Sequence, residues 1–150
     1  MINVQTQPFD VGEEHKALLE GRTDVGAVVC FTGLVRDFNE SPEVKALSLE
    51  HYPGMTEQAL ARIVSEAEQR WSLQDVRLIH RIGRLEPGDP IVLVAVASAH
   101  RRNAFEACDF IMDYLKTQAP FWKKEHTAGG HYWVSERDSD KQDAKRWEVS

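Results

Sequence analysis

The sequence predicts an α+β fold built on a mixed or antiparallel sheet, with two long helices. Three observations carry that prediction. Two segments repeat apolar residues every three or four positions, while several others alternate or form β-branched apolar runs. The third is their order (helix, strand, strand, helix, strand, strand, helix, strands), which lacks the regular alternation of a doubly wound sheet.

Asp10 to Glu20 is expected to be a first helix: Asp10 can accept from the free amides of the first turn, Glu13 follows three residues on, and Gly21 stops it. Gly26 to Gly33 (GAVVCFTG) reads as a buried strand, and Leu34 to Glu43, polar and broken by Pro42, as a mobile loop. Leu47 and Leu49 alternate with Ser48 and Glu50 in a second strand that Pro53-Gly54 ends. From Thr56, the expected cap, Leu60, Ile63, Val64, Ala67 and Trp71 mark an amphipathic helix.

Val76, Leu78, His80 and Ile82 alternate in the next strand. After the turn Glu86-Pro87-Gly88-Asp89, the run Pro90 to Ala99 is apolar enough to be central and covered on both faces. A second long helix is expected over about Asn103 to Gln118, its stripe formed by Ala104, Phe105, Cys108, Ile111, Met112 and Leu115 and its end set by Pro120. Gly129-Gly130 joins two short strands, the second at His131 to Val134. The charged tail from about Glu136 is expected to fray, apart from an anchor at Trp147.

With 150 residues and 42% apolar composition the chain can bury one proper core, so a single domain over 1–150 is expected. Met1 to Asp10 resembles no signal peptide and no segment suits a membrane span, which gives the expectation of a soluble, cytoplasmic protein. A net charge of -6 argues against nucleic acid as partner, because phosphate-backbone binders present a basic surface. Two cysteines make neither a disulfide framework nor a zinc spacing, and both Cys30 and Cys108 read as buried, inert thiols. His51 and His80 read as packing residues, and the histidines lack metal-ligand spacing, so no metal is expected.

Four basic clusters fall where elements should end: Arg36, His100-Arg101-Arg102, Lys116 and Lys123-Lys124. If these ends converged, they would form a cationic pocket able to hold a phosphate and stabilise developing negative charge. Taken singly, each is also an ordinary solvated charge, and a lysine in a last helical turn is explained by the helix dipole.

The stretches GAVVCFTGLVRD, LEHYPGMTEQAL, HRIGRLEPGD and SAHRRNAFEACDFIMDYLKTQAPFWKKE closely resemble the large, catalytic subunit family of molybdopterin synthase, and the likeness runs from about Phe9 to Trp147. The resemblance implies an α/β-hammerhead kind of fold with an added small β-rich subdomain. It also implies a sulfurtransferase that moves two sulfurs from a small ubiquitin-like carrier, ending in a Gly-Gly thiocarboxylate, onto cyclic pyranopterin monophosphate, forming the dithiolene of molybdopterin. A homodimer within a heterotetramer is implied as well, with no cofactor of its own.

By matching position the resemblance implies substrate-binding roles for Leu34, Val35, Arg36, His100, Arg101, Lys124 and Glu125, and catalytic as well as binding roles for Lys116 and Lys123. Leu34 departs from the lysine expected in similar chains, so a phosphate contact there has to come from backbone. His100, Arg101 and Arg36 are expected on the phosphate. Lys116 is expected at the reacting centre as general acid or base if it is buried beside other cations. Lys123 is expected along the carrier's tail, stabilising an oxyanion, with nucleophilic attack of a lysine on the acyl group as the alternative. Two rival functions follow from the residues alone: a non-catalytic module binding a phosphorylated metabolite, and a metal-dependent hydrolase using His51, His80 and His100.

Overall fold

A computed structural model describes residues 1–36, 44–127, 130–134 and 138–148 of the chain. Its first sheet has the order β1-β4-β6-β2, formed by Ile2–Gln5 (β1), Asp75–Arg81 (β4), Pro90–Ser98 (β6) and Ala27–Leu34 (β2). β1 runs parallel to β4, whereas β4–β6 and β2–β6 are antiparallel, so the sheet is mixed as expected. The second sheet, β5-β3-β7-β8, is antiparallel throughout and comprises Gly83–Leu85 (β5), Val44–His51 (β3), Phe121–Thr127 (β7) and Gly130–Val134 (β8).

Helices α2 (Met55–Arg70) and α3 (Arg101–Gln118) cover one face of the first sheet and α1 (Val11–Leu19) the other. The pleat of β6 explains both contacts. Val92, Val94 and Val96 point into the core shared with Leu60, Phe110 and Ile111, while Ala95 and Ala97 meet Leu18 of α1. A smaller core of Val35, Leu47, Leu49 and Leu85, joined by Ile91, lies against the second sheet.

Asp10 caps α1 as expected, its Oδ1 accepting from Glu13 N–H at 2.9 Å. The cap of α2 is different. The helix starts at Met55 behind Gly54, whose φ of 84° suits glycine, and the Glu57 carboxylate accepts from Gly54 N–H at 2.8 Å. Thr56 is one residue inside and fully buried, with its hydroxyl engaged elsewhere.

Several expectations need correction. The strand at 27–34 is an edge strand, so Cys30 and Phe31 are exposed instead of buried. Cys108 is buried as expected, where desolvation first and the nearby Asp109 second push its thiol up to about 12. The stripe of α3 turns slightly, leaving Phe105 exposed and burying Ala107, Phe110 and Tyr114.

The tail, expected to fray, forms α4 (Asp138–Lys145), and Arg146 behind it pairs with Asp109 and Asp113 of α3. Trp147 does anchor it, packing edge-on against Trp71 and Phe110. Strand β1, not anticipated, is only 4 residues long and its partner lies far along the chain. The expected loop centre at 37–43 lies outside the described residues.

Candidate functional site

Lys116 and Lys123 flank one covalent corner. Lys116 lies in the last turn of α3, Pro120 prevents that helix from continuing, and β7 begins at once with Phe121. Strand alternation places Lys123 on the same face of β7 as Phe121, and their register partners are Leu49 and His51 of β3. Lys124 and Glu125 follow in the strand opposite Ser48 and Leu47.

Beneath this corner His80 of β4 stacks on Phe121, with ring centroids 3.9 Å apart and an interplanar angle of 17°. The Nδ1–H of His80 donates to the Arg81 carbonyl at 2.8 Å. Burial is the main reason its pKa falls to about 4. The bond to Arg81 opposes that shift, and the nearby charges of Lys116 and His51 add to it. His51 Nε2 faces Glu57 Oε1 at 3.5 Å, so His51, His80, Lys116 and Phe121 form one neighbourhood.

Thr56 closes the corner from the other side. Its hydroxyl donates to the Pro120 carbonyl at 3.1 Å and accepts from the Tyr52 N–H, also at 3.1 Å. Neither this contact nor the His80 stack was anticipated from sequence. The signal available was His80 on the buried face of an alternating strand and a threonine inside an apolar helix face.

At the same end of the first sheet, β2 runs out into Val35 and Arg36. Val35 N–H donates to the Asp89 carbonyl at 2.9 Å and its own carbonyl accepts from Gly88 N–H at 2.7 Å. With its N–H committed and its side chain buried, Val35 offers no spare donor to a ligand and instead fixes the base of Arg36. Arg36 and Leu34 are exposed.

His100, Arg101 and Arg102 lie at the opposite end. β6 spans about 26 Å from Pro90 to Ser98 at about 3.3 Å per residue. α3, whose 18 residues span about 27 Å, carries Arg101 at one end and Lys116 near the other. One copy of the chain therefore does not bring the four basic clusters together, so the convergence that a shared cationic pocket requires is not met within a single copy. His100 and Arg101 are exposed at the start of α3, whose first turn contains no acid, while Arg102 is engaged with Glu106 at 3.7 Å. Free amides, the positive end of the helix dipole and two basic side chains make this end attractive to an anion.

Lys116 is exposed in the single chain, so the burial expected around it is not provided by this copy. The three histidines of the hydrolase alternative are split between the two ends. Among the described residues no group of three or more His, Cys, Asp or Glu side chains could hold a metal. No helix among the described residues is long and apolar enough to cross a membrane.

Comparison with known proteins agrees with this architecture. A molybdopterin synthase catalytic subunit of Escherichia coli (strain K12) is 63% identical over 146 residues, covering 97% of each chain. A solved structure described as molybdopterin biosynthesis MoaE protein from Burkholderia ambifaria MC40-6 superposes with a TM-score of 0.86 at 50% identity, covering 100% of this chain and 99% of that one. The fold also matches a complex of subunit 1 and 2 of molybdopterin-converting factor from Helicobacter pylori 26695, with a TM-score of 0.76 at 22% identity over 91% of each chain. The family model described as MoaE protein matches residues 4–118, and with that coverage and identity the chain belongs to the MoaE protein family.

Proposed function

We propose that this chain is the catalytic subunit of a molybdopterin synthase, an enzyme of molybdenum cofactor biosynthesis that transfers sulfur to a pterin. Its sulfur donor is the C-terminal thiocarboxylate of a small ubiquitin-like subunit ending in Gly-Gly, and its acceptor is cyclic pyranopterin monophosphate. The observation that supports this most is the single corner carrying both Lys116 and Lys123, in a chain whose relative at 63% identity bears that enzyme's name. The relative's designation as a catalytic subunit, and the two-subunit Helicobacter pylori complex, support a separate carrier. The bacterial biosynthetic relatives support a cytoplasmic location, and alignment over nearly the whole length supports one catalytic domain over 1–150.

Donor tail and acceptor phosphate are both anionic, so bringing them together requires cations between them. His100 and Arg101 at the acid-free start of α3, with Arg36, hold the phosphate. Lys116 stands at the reacting carbon and moves the proton as sulfur adds. Lys123, with Lys124 and Glu125 beyond it, lines the path of the tail and stabilises the oxyanion formed when water cleaves the acyl-sulfur bond. Leu34 brings no charge to this surface.

Because His100 and Arg101 lie at the opposite end from Arg36, Lys116 and Lys123, a complete site draws one end from each of two copies. This supports a homodimer, which the carrier subunits extend into a heterotetramer. Among the described residues, the outer edge of β2 has no strand partner and exposes Phe31 and Leu34, features that suit contact with another copy. A second copy and the carrier tail together would supply the cover that Lys116 lacks alone.

The test is dithiolene formation from thiocarboxylated carrier and cyclic pyranopterin monophosphate. Lys116→Ala, folded by its thermal transition, is expected to lose roughly 10²- to 10⁴-fold in kcat. An unaltered chain that binds the pterin but forms no product with a competent carrier would leave only the metabolite-binding reading.

A further inference from the structure

Two elements carrying reactive lysines have to be held at a fixed separation, and a helix end followed directly by a strand is a poor device for that by itself. The last carbonyls of a helix lack intrahelical partners, and the 119–121 corner must bend where Pro120 denies it an amide. Three contacts from outside the corner meet it. Thr56 Oγ1 donates to the Pro120 carbonyl at 3.1 Å, His80 stacks on the Phe121 ring at 3.9 Å between centroids, and His51 pairs with Phe121 across the second sheet.

Thr56 is itself fixed. It is fully buried, its N–H donates to the Tyr52 carbonyl at 2.9 Å, and its hydroxyl accepts from the Tyr52 amide. The hydroxyl thus joins the end of β3, the start of α2 and the α3–β7 corner through one oxygen. A buried hydroxyl with both a donor and an acceptor partner is costly to replace by an apolar group, because both partners lose their bonds.

We infer that Thr56 and His80 are positioning residues for the sulfur transfer: by clamping the Pro120 carbonyl and the Phe121 ring, they set where Lys116 and Lys123 stand relative to each other. Neither touches the reacting atoms, and the effect reaches the chemistry only through the two lysines. The inference rests on the reading of those lysines given above. A small displacement of reacting groups is sufficient to matter, since about 1 Å of misplacement can cost on the order of 100-fold in rate.

The experiment compares the heterotetramer built with unaltered chain, Thr56→Val, Thr56→Ser, His80→Leu and His80→Phe, each assayed well below its own thermal transition. Thr56→Val, which keeps the shape and removes the hydroxyl, is expected to lower kcat about 10- to 100-fold, with KM for the pterin within about threefold. Thr56→Ser is expected to restore most of that loss. His80→Leu is expected to behave like Thr56→Val, while His80→Phe, which keeps a ring against Phe121, retains kcat within about threefold.

Unchanged kcat in Thr56→Val, equal losses in Thr56→Val and Thr56→Ser, or a rise in KM alone would each overturn the inference. So would a large kcat loss in His80→Phe, which would point to the imidazole itself. Amide hydrogen exchange provides an arm independent of turnover. The Tyr52 and Phe121 amides are expected to exchange about tenfold faster in Thr56→Val, and unchanged exchange refutes the clamp. If the unaltered chain makes no product with a competent carrier, the proposed function fails, and exchange still decides the clamp.

Discussion

His80 is a histidine whose burial keeps it neutral, and the pH dependence this implies has a definite sign. Its folded pKa of about 4 lies below the 6.5 of the unfolded chain, so between those values the unfolded state binds the extra proton. Stability from this group is therefore full above about pH 6.5 and falls as pH drops towards 4, by about 3 kcal/mol in all. Denaturant titrations at pH 7 and pH 5 should show a larger loss for the unaltered chain than for His80→Phe. Equal losses would mean that His80 takes up its proton in the folded state. At this scale the sequence was informative about kinds of residue: alternation put His80 on a buried face, and positions at element ends singled out Lys116 and Lys123. It misread Thr56, because a threonine just before a helical pattern looks like a cap. The positive φ of Gly54 and the Glu57 carboxylate take over that job and free the threonine hydroxyl for another.

At the scale of elements, periodicity located both long helices and the central strand, because their apolar faces are set by sequence-local spacing. It could not find β1, whose 4 residues pair with β4 through a long-range contact, or α4, whose own residues are almost all polar. α4 is held from its C-terminal side. The Arg146 guanidinium reaches Asp113 and Asp109, the Trp147 indole N–H donates to Asp113, and Arg70 donates to the Trp147 carbonyl at 2.8 Å. The indole also packs edge-on against Phe110 and Trp71, centroids 5.6 Å away in each case. Trp147→Ala is expected to cost about 3 kcal/mol and to raise amide exchange across 138–145 before the rest of the chain opens. Exchange there that stays as slow as in the unaltered chain would show that the tail is held by something other than this anchor.

For the whole molecule, the four basic clusters were visible in sequence, but their arrangement was not. Which end of β6 each one occupies depends on strand direction and on the run of α3, neither of which local spacing records. The arrangement leads to a complementation test. Lys116→Ala and His100→Ala chains, each inactive as a homodimer, should regain activity when dissociated and reassociated together. Random pairing leaves about a quarter of the sites with both residues intact. A mixture as inactive as its components would mean that each site is completed within one chain. If each site draws on two copies, as proposed, the separation of the two ends by a full strand length also makes catalytic competence a property of concentration. Below the dissociation constant of the dimer, rate per chain should fall as the solution is diluted, although every chain stays folded, so that synthesis of the subunit would tune output more steeply than in direct proportion to its amount.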